Sequence, residues 1–408
     1  MRRARPVLLA GAAAALLAAC SSAAGSAPPT WVPSPPLARP GDGGGAQASP
    51  IVPVPSTPGG SDGGGPGSGQ VPGGPNGLNP STGSRKIDPS VVATNLKAPI
   101  GLAMLPDGTA LVGERTTGRI VQVQPRPGRP VRTVKVLTGL DTAGDGGLLD
   151  LALSPTFVED GLVYAYITTR TDNRVVEFTL AGPVTPLLTG IPKGPGDNAA
   201  RILFGTDGNL YIGTGDAAKP ALAVKPSSLS GKVLRVDDIG DALPSNPHPP
   251  SPVWSSGMKA VLGLCAIPET TWLFEVQPGG ASASGEVNLL AAGASYSGSN
   301  ARPPVATLPP AFGAPGGCAV LNGRLWITSL DGQALLSAPM RAGTGFVSIG
   351  PFKPALSQRY GRLRTVVAAA DGALWLTTSN RDGHGNPIPA DERVIRYVPS
   401  ANSGSATT

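Results

Sequence analysis

The stretch DNAARILFGTDGNLYIGTGDA, residues 197–217, decides the fold of this chain. Its centre is a short apolar run, a turn that contains Asp207 and Gly208, and a second run in which apolar and polar residues alternate. Such a pair of runs is typical of a β-hairpin, because Asp and Gly tolerate the backbone angles of a tight turn. The stretch therefore predicts two adjacent antiparallel strands, preceded by a polar segment that begins at Asp197.

The same hairpin pattern recurs along the chain. The other five copies are GLAMLPDGTALVGE (101–114), LALSPTFVEDGLVYAYIT (151–168), GLCAIPETTWLFEV (263–276), GCAVLNGRLWITSL (317–330) and TVVAAADGALWLTTSN (365–380). The turn residues, at spacings of 53, 47, 62, 53 and 49 residues, are Asp107, Asp160, Asp207, Glu269, Asn322 and Asp371. Six hairpin-bearing units at this spacing predict an all-β fold, a six-bladed β-propeller of four-stranded antiparallel blades.

Further segments complete the predicted blades. The outer strands are predicted at 118–125, 173–180, 231–238 and 392–399. Segment 91–98 precedes the first copy, so we expect it to join the last blade and close the ring, which leaves fewer open edges. The aromatic residues expected to pack between blades are Tyr164, Tyr211, Trp272, Trp326 and Trp375.

Two cysteines lie at the same position in adjacent copies of the repeat. Cys265 and Cys318 each precede the turn residue of their copy by four residues. If this position lies on the innermost strand, the two thiols converge near the central channel. Apart from Cys20, which belongs to the N-terminal export signal described below, these are the only cysteines of the chain. Such a pair in an exported protein is a candidate disulfide. The pattern predicts a Cys265–Cys318 bond, with two buried unpaired thiols as the alternative.

The N terminus has the features of an export signal. Basic residues precede an apolar run at 7–19 that is too short to span a bilayer as a helix. The segment Leu17-Ala18-Ala19-Cys20 resembles the bacterial lipobox, which implies cleavage before Cys20 and lipidation of its thiol, for example with palmitate. We predict a lipoprotein signal peptide at 1–19; an ordinary signal peptide with a chance cysteine is the alternative.

The next segment has the composition of a tether. Residues 21–85 contain 14 Pro, 16 Gly and four charged residues. Such a segment buries too little apolar surface to offset the entropy lost on ordering. We therefore predict a lipidated Cys20 and disordered tether at 20–85, the propeller at 86–400 and a disordered tail at 401–408. The protein is expected to be exported and lipid-anchored to the outer face of the cell membrane.

Charge and histidine content exclude several classes of function. The net charge of +6 comes partly from the signal peptide, and the repeat region has no stripe of Lys and Arg, so no nucleic-acid partner is expected. The two histidines, His248 and His384, lie in separate loop segments and are expected to be exposed. They provide neither a Ser-His-Asp triad nor a transition-metal cluster. We expect a monomer.

A series of motifs along residues 90–399 connects the repeat with a known family. In order they are GLAMLPDGTALVGERTTGRI, GDGGLLDLALSPTF, ARILFGTDGNLYIGTGDA, GKVLRVD, SGEVNLL and GRLRTVVAAADGALWLTTSNRDG. This series resembles the soluble quinoprotein glucose/sorbosone dehydrogenase family. The resemblance implies a six-bladed propeller that binds pyrroloquinoline quinone (PQQ) with calcium over its channel. It also implies oxidation of aldoses to lactones, with a histidine as the general base.

Several family positions are occupied by other residues. Asp197 stands where the resemblance places the catalytic base, and an aspartate carboxyl, with an ordinary pKa of about 4, is a weaker base than an imidazole unless burial raises that pKa. Lys259 and Ala260 stand at the Arg-Asn pair that contacts the cofactor. Lys259 retains the positive charge of the arginine but not its bidentate geometry. Asp331 stands where a cofactor-contacting lysine is expected.

Other family positions concern further contacts to the cofactor and the backbone carbonyls that bind calcium. Arg362 and Arg364 keep an Arg-x-Arg spacing, which places both side chains on one face of a strand and suits a polycarboxylate cofactor; two solvated surface arginines are the alternative. Asp145 lies where the family has an acidic or amide side chain that enters the site. The four predicted cofactor contacts are therefore Arg362, Arg364, Lys259 and Asp145. The calcium-binding carbonyls of the family fall on Gln277 and Pro278.

Three functions agree with this sequence. The first is a cell-envelope lipoprotein that resembles PQQ-dependent sugar dehydrogenases and has a degenerate active site, with altered or lost activity. The second is a non-catalytic envelope propeller that binds a glycan, a small ligand or another envelope protein; a sugar or an envelope glycan is the expected partner. The third is a calcium-dependent lactonase-type propeller that uses Asp197, Asp145 and Glu286. Tight quinone binding separates the first from the others.

Overall fold

The structure is a computed structural model that describes residues 88–279, 284–343 and 345–400. Contacts between residues divide the chain into two units, Met1–Pro80 and Ser81–Thr408, and all described residues belong to the second. The predicted signal peptide, Cys20, the tether and the tail at 401–408 lie outside the described residues. Within the described ranges, no helix is long and apolar enough to cross a membrane.

The described residues form an all-β propeller with few and short helices. The strands are β1 (Val91–Ala93), β2 (Pro99–Met104), β3 (Ala110–Glu114), β4 (Arg119–Val123), β5 (Arg132–Val136), β6 (Leu148–Leu153), β7 (Leu162–Thr168), β8 (Asn173–Thr179), β9 (Thr185–Ile191), β10 (Ala200–Phe204), β11 (Leu210–Thr214), β12 (Lys232–Val236), β13 (Val253–Ser256), β14 (Gly263–Ala266), β15 (Leu273–Pro278), β16 (Gly285–Leu289), β17 (Ala306–Leu308), β18 (Pro315–Leu321), β19 (Arg324–Ser329), β20 (Ala334–Gly343), β21 (Phe346–Ile349), β22 (Lys353–Ser357), β23 (Leu363–Ala368), β24 (Leu374–Thr378) and β25 (Val394–Tyr397). The helices are α1 (Phe157–Asp160), α2 (Pro220–Val224) and a 3₁₀ turn at Pro310–Phe312.

These strands form six antiparallel sheets, the blades of the propeller. Blades 1 to 4 are β2–β5, β6–β9, β10–β13 and β14–β17, each in simple sequential order. Blade 5 is β18-β19-β20 with both β21 and β22 paired to β20, and blade 6 is β23-β24-β25-β1. The innermost strands are therefore β2, β6, β10, β14, β18 and β23. The predicted six-bladed propeller is confirmed.

The ring is closed by the first strand of the chain. β1 pairs antiparallel with β25, so the described N-terminal end supplies the outermost strand of a blade built from the C-terminal end. This pairing confirms the expectation for segment 91–98 and covers an otherwise open strand edge. The four segments predicted as outer strands are the third strands of their blades, each one place inside the outermost strand. They are β4, β8, β12 and β25. The outermost strands of blades 1 and 2 are mostly exposed and carry no apolar pattern that marks them in sequence.

The turns of the hairpins have a recurring hydrogen bond. The side chain of Asp107 accepts a hydrogen bond from the Thr109 amide at 2.9 Å, and Asp371 does the same for Ala373 at 3.1 Å. The glycine that follows Asp107 has a φ of 79°, a left-handed conformation that other residues adopt at a cost. The Asp-Gly pair is thus used as a side-chain acceptor followed by a left-handed glycine, which explains its recurrence.

Side chains from neighbouring blades form the core. Tyr164, Tyr211, Trp326 and Trp375 are at most 3% exposed, as predicted for residues that pack between blades, and Trp272 is half-buried. Their burial removes large apolar areas from water, which is the main favourable term in folding. The core is therefore distributed around the ring and leaves a channel along the axis.

A disulfide joins the innermost strands of blades 4 and 5. Cys265 on β14 and Cys318 on β18 are bonded, with their Cα atoms 5.9 Å apart. Both residues line a cavity of about 380 Å³ within the channel. The predicted disulfide is confirmed, and so is the inner-strand position on which the prediction depended.

Candidate functional site

The innermost strands all begin at one end of the channel, and the residues at their starts enclose a small space of about 70 Å³. We call this space the channel mouth. The residues that contribute to it from the six blades include Ile100, Leu149, Ala200, Leu262, Gly316 and Arg364. A larger cavity of about 460 Å³, here the rim cavity, lies over blades 1, 2 and 6. The two cavities share Ile100, Asp145 and Arg364, so together they form one candidate site.

Asp197 lies at the channel mouth, in the loop that leads into β10. Its backbone is left-handed, with a φ of 52°, and its carbonyl oxygen accepts a hydrogen bond from the Ala217 amide at 3.1 Å. The close approach of the next loop depends on Gly215, where a Cβ atom would lie 1.9 Å from that same oxygen. The position that sequence assigns to the base is therefore held at the axis by backbone contacts.

Asp145 is fixed by the residue after Asp197. Asn198 donates to its carboxylate from the backbone amide at 3.0 Å and from the side-chain amide at 2.5 Å. Asn198 is itself buried, and its side-chain oxygen accepts hydrogen bonds from Gly194 and Asn173. Asp145 thus lines both cavities, and among the described residues its hydrogen bonds come from Asn198 and not from a cation; its contact with a cofactor stays a prediction.

A second carboxyl lies behind Asp197. Asp216 is 2% exposed, and burial followed by the negative charge of Asp197 raises its pKa, while Lys259 opposes this increase. The Asp216 amide donates to the Lys259 carbonyl at 2.8 Å. The exposed Lys259 side chain therefore lies close to these carboxyls but lines neither cavity. Sequence reasoning missed Asp216, although the GTGDA motif contains it.

The two arginines of the Arg-x-Arg motif both reach the rim cavity but have different partners. Arg362 is buried and forms ion pairs with Asp331 at 2.5 Å and with Asp382 at 2.9 Å. The hydrogen bond from Arg362 lowers the pKa of Asp331, which keeps that carboxyl ionised. The positive charge of Arg362 is therefore matched by two carboxylates of the protein itself.

Arg364 is half-buried, and its guanidinium has no hydrogen bond or ion pair with any described residue. Burial lowers its pKa to about 10, and the positive charges of Arg201 and Arg115 act in the same direction. Arg115 donates to the carbonyl oxygens of Gly144 and Gly146. Because Arg364 is desolvated and is repelled by these neighbouring positive charges, binding of an anion between them would be favourable. This part of the site can hold an anionic group.

The positions predicted for calcium lie elsewhere. Gln277 and Pro278 are in β15, opposite Glu286 and Gly285, and line neither cavity. The Gln277 side chain accepts a hydrogen bond from the Lys259 amide at 2.9 Å and donates to Glu286 at 3.3 Å. Among the described residues no group of three or more His, Cys, Asp or Glu could hold a metal ion. The calcium site stays a prediction, and Glu286 is not brought together with Asp197 and Asp145.

An arginine crosses the channel below the mouth. Arg201 on β10 donates to the Leu262 carbonyl at 2.7 Å and to Thr365 Oγ1 at 3.1 Å, and its guanidinium is 3.5 Å from Asp150. Thr365 belongs to blade 6, opposite blade 3 in the ring, so the side chain spans the axis. Burial raises the pKa of Asp150 to about 6, and Arg201 opposes this increase. An arginine inside an apolar inner strand was the signal that could have indicated this network.

Both histidines are exposed, as predicted. His384 nevertheless lines the rim cavity, where its backbone amide donates to Asp382 at 2.9 Å. His248 lines a different cavity, on the side of blade 3. The quoted family motif ends at Gly383, directly before His384, so the motif did not indicate that His384 and Arg364 line the same cavity.

The ring of six blades, with charged cavities at one end of its channel, defines a six-bladed β-propeller with a candidate ligand site. Residues 96–302 match the family described as Glucose / Sorbosone dehydrogenase, and the chain belongs to this family.

The chain is similar to several members of known structure or activity. The PQQ-bound form of aldose sugar dehydrogenase from Streptomyces coelicolor is 36% identical, with a TM-score of 0.70 over 75% of this chain and 95% of that one. The apo-form of the soluble aldose sugar dehydrogenase of Escherichia coli, at 20% identity and a TM-score of 0.65, covers 76% of this chain and 99% of that chain and shows the fold alone.

Among curated proteins, quinoprotein glucose dehydrogenase B of Acinetobacter calcoaceticus is 27% identical over an alignment 253 residues long, which covers 52% of each chain. This chain thus spans about half the length of the curated relatives that it matches.

Proposed function

We propose that this protein is an envelope-anchored member of the family whose channel mouth binds an anionic small molecule and whose aldose-oxidising apparatus has diverged. The observation that carries the proposal is that the two arginines of the Arg-x-Arg motif differ in their ion pairs. Arg362 forms ion pairs with Asp331 and Asp382, whereas the Arg364 guanidinium forms no hydrogen bond or ion pair with a described residue. One desolvated cation beside Arg115 suits a ligand with one or two anionic groups.

PQQ, which the Streptomyces relative carries, is a tricarboxylate, and the residues here do not fit it. Asp331 and Asp382 already occupy Arg362, and Asp145 adds a further carboxylate to the rim. A polyanionic cofactor would face these like charges and would have to compete for the buried Arg362, which is costly in a partly desolvated site. No catalytic step through the quinone is therefore derived.

The position of the base supports the same proposal. Asp197 has no hydrogen bond to its carboxylate among the described residues, and the nearby Asp216 is too buried to line either cavity. A general base must be oriented within hydrogen-bond reach of the proton that it removes. The half-buried Asp197 carboxylate has no hydrogen-bond partner among the described residues that orients it, so it is a poor replacement for an oriented imidazole.

The envelope location rests on the sequence alone. The lipobox-like segment that ends at Cys20 supports cleavage and lipidation there, and the Pro- and Gly-rich segment that follows would separate the propeller from the membrane surface. We propose a monomer attached to the outer face of the cell membrane. Mass spectrometry of the mature N terminus tests the lipid on Cys20.

The first experiment is calorimetric titration of the purified full chain with PQQ and calcium chloride. We expect no saturable binding at micromolar concentrations. Asp331→Asn removes one of the two carboxylates that hold Arg362, so this variant should bind PQQ at least tenfold better than the wild type. Asp371→Asn is the matched control, since Asp371 pairs with Arg396 at a hairpin turn outside both cavities. Micromolar or tighter binding by the wild type would reject the proposal.

A second candidate function is an active quinoprotein sugar dehydrogenase. It is favoured by the unpaired Arg364 and by the 36% identity to a PQQ-bound relative. Reduction of an electron-accepting dye by the PQQ-loaded chain in the presence of aldoses distinguishes the two functions. The diverged site predicts no sugar-dependent reduction above the rate of the unloaded chain.

A further inference from the structure

A separate cavity of about 420 Å³ lies on the side of blade 3, and we call it the flank cavity. It shares no lining residue with the channel mouth or the rim cavity. Its walls include the outermost strand β13, residues Val224 and Pro226 at the end of α2, and a loop that carries His248. The volume lies within the range of about 300–1,000 Å³ that is usual for small-molecule sites.

The flank cavity presents no free charge to a ligand. No carboxylate lines it, and Lys232 is its only ammonium group among the described residues. The Lys232 Nζ atom donates to the carbonyl oxygens of Leu222 at 2.8 Å, Ala223 at 2.7 Å and Ser230 at 2.9 Å. An ammonium group has three donors, so none remains for a ligand. The cavity therefore suits a neutral molecule, in contrast to the rim cavity.

Hydroxyl groups provide the polar part of the lining. Ser255 is 1% exposed, and its Oγ atom has no hydrogen-bond partner. A buried hydroxyl without a partner is unfavourable, and a ligand that forms this hydrogen bond satisfies it. Ser227, Ser251 and Ser256 also line the cavity. A ligand with several hydroxyl groups would match them.

Trp254 provides a fixed aromatic wall. The guanidinium of Arg235 lies 4.7 Å from the centre of its ring, and Tyr211 packs edge-on at 6.0 Å. Arg235 is itself held by an ion pair with Asp207 at 2.9 Å. The half-buried indole therefore contributes apolar contact area without a large loss of side-chain entropy on binding.

We propose that the flank cavity binds one neutral pyranose residue, either as a free sugar or as a unit of a glycan. A pyranose ring has a C–H face that fits the indole of Trp254, and a hydroxyl rim that fits Ser255 and its neighbouring serines. This binding site is independent of the channel mouth. It would hold a glycan against the propeller whether or not the mouth binds an anion.

The two histidines of the chain allow a direct test. His248 lines the flank cavity and His384 lines the rim cavity, so a protein labelled with ¹³C in its histidine rings gives one signal set for each site. The signals are assigned with His248→Ala. The labelled full chain is then titrated with methyl glucosides, galactosides and mannosides, and with soluble hexasaccharides of the same sugars. We expect a saturable shift of the His248 signals alone.

Variants of buried hydroxyls give the matched comparison. Ser255→Ala should weaken pyranose binding about fivefold, the effect of one hydrogen bond. Thr377→Val removes another buried unpaired hydroxyl, in blade 6, and should leave binding unchanged. A shift with methyl glycosides supports a free sugar, and a shift with hexasaccharides only supports a glycan. No shift with any probe, a shift confined to His384, or unchanged binding by Ser255→Ala would overturn the proposal.

Discussion

The channel mouth with its rim cavity and the flank cavity differ in how their charged side chains are paired. Around the mouth, charged side chains are paired across blades, as Arg201 is with Asp150 and Arg362 is with Asp331. In the flank cavity the one charged side chain is satisfied by backbone carbonyls, and the unpaired group is the neutral hydroxyl of Ser255. The comparison teaches that a charged residue in a motif does not by itself define a ligand. Whether the protein already pairs that residue decides which ligand the site can accept.

The strongest test of this contrast removes the arginine that crosses the channel. Arg201→Met should reduce the free energy of unfolding by about 4 kcal/mol, because it leaves the buried Asp150 without its cation. Urea denaturation at pH 7 measures the change. Arg126→Met, at an exposed arginine of blade 1, is the control and should change stability by less than about 0.5 kcal/mol. Equal effects of the two substitutions would show that the axial network is not a structural element.

The pH dependence of stability gives a second test, centred on Asp150. Its pKa is raised to about 6 by burial, so the folded state binds a proton that the unfolded state has lost above about pH 4. Stability from this group is therefore fully present below about pH 4 and falls by about 3 kcal/mol as the pH rises through 6. Asp150→Asn should remove this decrease.

Other carboxyls also titrate in this range, so the useful quantity is the difference in unfolding free energy between Asp150→Asn and the wild type. That difference should shift in favour of the variant between pH 4 and pH 7. Urea denaturation at several pH values measures it. A difference that does not change with pH would mean that Asp150 has an ordinary pKa in the folded protein.

Local patterns predicted the fold because each blade repeats one hairpin. The turn residues from Asp107 to Asp371 mark the six hairpins, and the equivalent positions of Cys265 and Cys318 were sufficient to predict their bond. The outermost strands were assigned one place too far in, because their exposed residues lack periodicity.

The site was predictable only in part, because its chemistry depends on partners that are distant in sequence. The spacing of Arg362 and Arg364 indicated a shared cavity, but not that Asp382, 20 residues later, and Asp331, 31 residues earlier, would hold Arg362. The flank cavity left no motif at all, because it is formed by a helix end, a strand and loops. The channel mouth depends on contacts between blades, whereas the flank cavity is formed mainly by segments of blade 3 that are separated in sequence.

The smallest expected effect tests the neutral side of the comparison. Ser255→Ala removes a hydroxyl that has no partner, so it should leave the free energy of unfolding unchanged or raise it by about 0.5 kcal/mol. Thr214→Val is the matched control, because the Thr214 hydroxyl donates to the Leu229 carbonyl at 2.7 Å and accepts from the Lys232 amide at 3.0 Å. Its loss should cost about 1–2 kcal/mol. If Ser255→Ala destabilises the protein as much as Thr214→Val, the Ser255 hydroxyl already has a partner and is not free for a ligand.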